Sequence, residues 1–209
     1  MRGLLLFAFC VLFGTLLPAQ PSSPFFATLD AERGNVLAPA RNGQVWVGCM
    51  KDEQVLLTLL SPAGKLLQKH LINFVGTGLD TESLIDLFEE ADGSLVGCGN
   101  FENDNEGRGF VFRYNPATRS MLWAHIVRSG GLNFLNGITA LGTGGDYVLY
   151  GNPHFAGGDD AELVRLRRST GEVVPGSARR LHLGTSDQIN QLVYHEGWLY
   201  ACGRFTDGD

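Results

Sequence analysis

No short catalytic or metal-binding signature is written in this chain. There is no Gly-x-Ser-x-Gly elbow, no His-Glu-x-x-His pair and no closely spaced cysteine couple. The motifs by which an α/β-hydrolase, a zincin or a structural zinc site is read from sequence are therefore missing. A site assembled from several distant segments is not excluded by this. Basic charge is also scarce, with 16 Lys and Arg against 22 Asp and Glu. A nucleic-acid partner needs a basic face to meet its phosphates, so that class is set aside. Long apolar runs are confined to one stretch near the start, Leu4 to Leu17.

That stretch follows Arg2 and ends in Pro18-Ala19-Gln20. It is too short to cross a bilayer comfortably. It predicts a secretory signal peptide over residues 1–19, cleaved after Ala19. A lipoprotein signal at Cys10 is the alternative, although Phe9 stands where a small residue is expected. The mature chain is then expected to be secreted, periplasmic or displayed at the cell surface, with no stable membrane insertion. Loss of Arg2 leaves 22 acidic against 15 basic residues, a net charge of −7.

Glycine is what the chain has in abundance, and its placement is periodic. Gly99, Gly151 and Gly203 are each 52 apart, and the turn glycines Gly93, Gly145 and Gly197 keep the same interval. Each pair frames an apolar run. Leu95-Val96-Gly97-Cys98-Gly99-Asn100-Phe101 returns as Val148-Leu149-Tyr150-Gly151-Asn152 and as Leu199-Tyr200-Ala201-Cys202-Gly203-Arg204-Phe205. An earlier copy, Gly43 with Val45-Trp46-Val47-Gly48-Cys49, lies 50 before the Gly93 copy. A β-rich period near 50 predicts a β-propeller, built of four-stranded antiparallel blades. The expected layout is a lead-in over 20–34 and blades over 35–75, 83–128, 137–184 and 188–209. That is about three and a half blades, whereas a closed ring takes roughly 4–8. The chain is thus expected to be an incomplete ring from a longer protein. The alternative is a closed four-bladed ring, with Phe25–Leu29 supplying a missing strand.

Phe112-Arg113-Tyr114-Asn115-Pro116-Ala117-Thr118-Arg119-Ser120-Met121-Leu122-Trp123 resembles the blade motif of quinoprotein-like propellers, in which a turn is followed by a Trp docked between blades. Leu166-Arg167-Arg168-Ser169-Thr170-Gly171-Glu172-Val173-Val174 is similar but lacks the Trp. The same text also resembles the secreted bacterial β-propeller repeats of the delta-60 and SBBP types. The resemblance spans most of residues 35–205. It implies a secreted ring that binds or scaffolds, often within a larger protein. It carries over no catalytic, quinone-binding or calcium-binding residue, because no such position can be matched.

Each candidate functional residue also has a structural role open to it. Cys49, Cys98 and Cys202 fall late in second strands, which predicts three buried, unbridged thiols used as small apolar packers. His70, His125 and His182 recur on outermost strands. They are expected around the circumference as edge polarity rather than as a metal cluster. Glu102, Asp104 and Glu106 alternate ahead of Gly107 and could offer oxygens to calcium, but Arg113 stands where a bidentate acid is needed. Gly157-Gly158-Asp159-Asp160 fills the corresponding loop of the next blade. Gly142-Thr143-Gly144-Gly145 precedes a strand and reads as a turn. Asn100, Asn152 and Arg204 follow the aligned glycines at the rim that carries the long loops. They are candidates for ligand contact, with capping of the loop base as the other role.

The expected function is an exported, non-catalytic binding or scaffold module of a larger extracellular protein, with a protein or glycan partner and no cofactor beyond calcium. The alternative is the sensor or catalytic propeller of a longer enzyme, a quinoprotein-like oxidoreductase included.

Overall fold

The computed structural model describes residues 29, 31, 33–74, 82–101, 108–127, 134–152, 160–182 and 186–206. The expected signal peptide, the Phe25–Leu29 strand up to residue 28 and the Glu102–Glu106 loop lie outside them. Among the described residues the regular structure is almost entirely strand, with one 3-10 turn at Arg41–Gly43. No helix there is long and apolar enough to cross a membrane.

The strands fall into consecutive antiparallel sheets. The first blade is β1 (Arg33–Pro39), β2 (Val45–Lys51), β3 (Gln54–Leu60) and β4 (Leu66–Ile72). The second is β5 (Glu82–Glu89), β6 (Leu95–Phe101), β7 (Gly109–Asn115) and β8 (Ser120–Val127). The third is β9 (Phe134–Ala140), β10 (Tyr147–Asn152), β11 (Ala161–Leu166) and β12 (Arg179–Leu181). A final two-stranded sheet joins β13 (Ser186–His195) to β14 (Trp198–Thr206). Each sheet follows sequence order, so every strand pairs with the one next to it in the chain. This is the expected propeller arc, open after its fourth sheet.

The blades stack because their second and third strands are apolar on both faces, as strands covered on both sides must be. Trp46, Leu57 and Leu59 meet Leu84, Phe110, Phe112 and Tyr114 between the first two blades. Val96, Cys98, Val111 and Trp123 meet Leu135, Tyr147, Leu149 and Leu166 between the next two. Val148 and Tyr150 meet Ile189 and Leu192. Trp123 docks as the blade motif implies, donating its indole N–H to the Arg168 carbonyl at 3.1 Å. Gly171, with φ +73, passes beneath that ring where a Cβ would collide with it.

The glycine series has a specific cause. Each inner strand carries a bulge at the same place: between Gly34 and Val36, between Leu84 and Asp86, at Asn136, and between Ile189 and Gln191. A bulge turns a carbonyl toward the neighbouring strand. A Cβ on Gly99, Gly151 or Gly203 would strike the carbonyl of Ser83, Phe134 or Gln188 respectively. In the first blade the small residue has changed strand. Gly34 lies on the inner strand opposite Cys49, and its added Cβ would sit 3.8 Å from the Cys49 sulfur.

That exchange corrects the cysteine reading. Cys49 occupies the glycine position, so it faces the opposite side of its sheet from Cys98, and it packs with Val47, Leu56, Leu29 and Ala31. All three thiols are free, but Cys202 is exposed, because no described residue covers that face of the fourth sheet. The outer strand of the third blade is short, covering only Arg179–Leu181. Val173 makes one bridge to Leu166, and the chain turns at Pro175-Gly176 before β12 begins.

Candidate functional site

The ends of β6, β10 and β14 bring Asn100, Asn152 and Arg204 to one rim, where the long connections leave the blades. Asn100 reads the backbone of the next blade. Its Nδ2 donates to the Leu135 carbonyl at 3.0 Å, and its Oδ1 accepts the Leu135 N–H at 2.9 Å. Asn152 donates to the Asp187 carbonyl at 2.6 Å and accepts from Asn136 Nδ2 at 2.9 Å. Asn136 also reaches the Ile189 carbonyl at 3.0 Å. Both asparagines therefore cap the next inner strand, in the way the base of a loop is packed. Arg204, at the equivalent place on β14, is exposed.

A third brace runs between inner strands. Asp86 accepts the Leu87 N–H through Oδ1 at 2.9 Å and the Ile138 N–H through Oδ2 at 3.0 Å. Burial pushes its carboxyl above the ordinary carboxylate value, while the two backbone bonds pull it back.

On the opposite rim a buried ion network joins the second and third blades. Glu90 accepts the Tyr147 hydroxyl at 2.7 Å and the Arg113 guanidinium at 2.9 Å, and also pairs with Arg168. Its side chain is only 2% exposed. Arg113 also bridges to Asp92 at 2.7 Å. Burial, and then Glu90, push the Tyr147 hydroxyl well above its ordinary value. Nothing in the local sequence marks Glu90 as a partner of residues 57 and 78 positions away. Only blade stacking brings them together.

The three histidines do not share one environment, which corrects the reading of them as edge polarity. His70 is 5% exposed and lies between blades, with Nδ1 at 3.0 Å from the Tyr114 hydroxyl and Nε2 at 3.1 Å from Gln68 Oε1. Burial, and then the charge of Arg119, lower its pKa. His125 places Nε2 2.6 Å from the Thr170 carbonyl of the next blade. His182 is exposed and pairs through Nδ1 with Asp160 Oδ1 at 2.5 Å. That hydrogen bond and charge raise its pKa.

Asp187 completes a group with these last two. One ligand atom each from Asp160, His182 and Asp187 lies within 4.8 Å of the others. Repetition alone could not reveal the group, because its members lie at three separate places along the chain and the combination of two carboxylates with an imidazole does not recur in the described part of the first blade.

Comparison with known proteins places the architecture. The structure titled Dos1 propeller superposes with a TM-score of 0.52 at 11% identity, over 75% of this chain and 40% of that one. A structure of NanB with Optactamide gives 0.54 at 9%, over 83% and 27%. The extracellular domain of a putative hybrid two component system from B. thetaiotaomicron gives 0.49 at 16%, over 88% and 21%. The chain thus spans well under half of each of these structures. No family model matches it, and no curated protein matches it. At these identities the likeness defines the class and nothing finer: this is a β-propeller module.

Proposed function

We propose that the protein is an exported, non-catalytic propeller that binds or scaffolds an extracellular protein or glycan, as one part of a larger surface or secreted protein. The observation that carries this reading is the contrast between its two rims. One rim is closed mostly by tight turns, such as those after β1, β3, β5 and β7, and by the Glu90 network. At the other, most of the longer segments between strands leave beside strand ends capped by Asn100 and Asn152. Variable loops on a rigid base are the usual seat of recognition. Arg204, Asp160 and His182 are polar groups displayed there, and Arg204 is the first choice for direct contact.

The test has two arms. The chain from residue 1, fused to a reporter active only after export, should reach the exported fraction, and deletion of residues 1–19 should retain it in the cell. Mature protein should bind a defined glycan on an array, or a defined surface protein, with loss of affinity in Arg204→Ala. Retention of the full-length chain inside the cell would overturn export. Turnover of chromogenic glycosides or of alcohols with a quinone cofactor would move the reading to the catalytic alternative.

A further inference from the structure

We propose that Asp160, His182 and Asp187 form a binding site for a divalent transition-metal ion of the zinc class, set in the seam between the third blade and the fourth sheet. Asp160 stands just before β11 and His182 just after β12. Those strands pair at Ala161 and Leu181, which puts the two side chains opposite each other. Asp187 enters from β13 and is 3% exposed. The burial is graded, with a deep carboxylate, a half-buried one and an open imidazole.

The equivalent corner between the first two blades shows what is unusual here. Asp187 pairs with Phe205 as Glu82 pairs with Phe101, so the two acids share a place in the repeat. Glu82 meets backbone donors, the N–H of Val55 at 3.2 Å and of Phe74 at 2.8 Å. One carboxylate there faces two donors. Registers put Gln54 and Asn73 in the places of Asp160 and His182. The third–fourth seam has thus exchanged two neutral amide side chains for a second carboxylate and an imidazole. Two carboxylates this close repel unless a cation lies between them. A protonated His182 is one such cation, and a metal bound by all three residues is the other.

The donor set selects the metal. Calcium takes six to eight oxygens, whereas one imidazole with two carboxylates suits zinc and its neighbours. Three protein ligands leave a fourth position for water or for an oxygen of a bound partner. The assignment does not depend on export or on the partner proposed above, because its readout is metal binding alone.

Chelator-treated mature protein should be titrated calorimetrically with zinc chloride, and separately with calcium chloride. The expected result is about one equivalent of zinc bound, with calcium failing to compete, and roughly tenfold or greater weakening in both His182→Ala and Asp187→Asn. His125→Ala and Cys202→Ser should leave the affinity unchanged. Cobalt should give visible ligand-field bands without thiolate charge transfer. His182 is 76% exposed, so its removal decides the matter even if Asp187→Asn unfolds. Absence of zinc binding, unchanged affinity in His182→Ala, or loss in Cys202→Ser would overturn the site.

Discussion

Single residues carry the most local consequences of the repeat. The bulge carbonyls leave no room for a side chain at Gly99, Gly151 or Gly203. Gly99→Ala should therefore cost about 1–3 kcal/mol, as overpacking does, read as a lower urea midpoint at unchanged slope. The spacing of these glycines was plain in the sequence. Their cause was not, because a bulge is a property of strand register and no residue type announces it. The thiols separate in the same way. In native mature protein Cys202 should react promptly with a thiol reagent, while Cys49 and Cys98 should wait for denaturation. Burial raises the pKa of both slow thiols, Cys98 the more, which suppresses their thiolate forms. Prompt reaction of all three would refute the packing described here. The two perturbed histidines should pull stability in opposite senses with pH. His182 is raised by Asp160, so its contribution is present below its ordinary value of 6.5 and is lost as pH rises through the higher folded value. His70 is lowered, so the folded state resists its protonation, and stability falls as pH drops below 6.5 toward the lower folded value. Proton NMR titration should find His182 above and His70 below that value, and Asp160→Asn should lower His182 toward it.

At the scale of elements, the blades are joined by polar braces placed on otherwise apolar seams. The turn-face brace converges on one carboxylate. Glu90→Ala would leave Arg113 and Arg168 without their shared acceptor inside a seam, a loss of about 3–5 kcal/mol. Asp92→Ala removes an exposed partner of the same Arg113 and should cost about 0–1 kcal/mol. Thermal melts of the two variants side by side check the contrast, and equal losses would show that Glu90 does not anchor the seam. These elements were unequally legible. The second strands were readable because their glycines and turns bracket apolar runs, and the third strands because an apolar run resumes after each loop. The outermost strand of the third blade is hard to delimit from sequence, since Val173 and Val174 look like strand while Pro175 supplies no N–H and Gly176 turns the chain at φ +70. Repetition places Asn100 and Asn152 at the ends of equivalent strands. Their partners, Leu135 and Asp187, are each 35 residues away, and only the stacking of blades shows which backbone they read.

For the whole molecule, the decisive feature is the outward face of the fourth sheet. Cross-strand pairs point to one side, so Val193 with Tyr200, His195 with Trp198 and Gln191 with Cys202 share that face. Trp198 is 70% and Tyr200 57% exposed. The repeat equivalents of Tyr200 and Cys202 fare otherwise: Val96 and Cys98, and Val148 and Tyr150, are buried under the next inner strand. The same surface chemistry that holds three seams together is thus displayed without a cover among the described residues. In stacked repeats, stability comes largely from such seams, and a contiguous exposed apolar face invites association. Mature protein spanning residues 20–209 should therefore bind the dye ANS strongly and self-associate as its concentration rises. Tyr200→Lys with Trp198→Lys should reduce both effects without lowering the stability of the first three blades. A chain carrying one further blade after β14 should lose the dye binding and unfold in a single sharper transition. A compact monomer with one sharp thermal transition and no dye binding would defeat this account, because it would require that face to be covered within the 209 residues themselves.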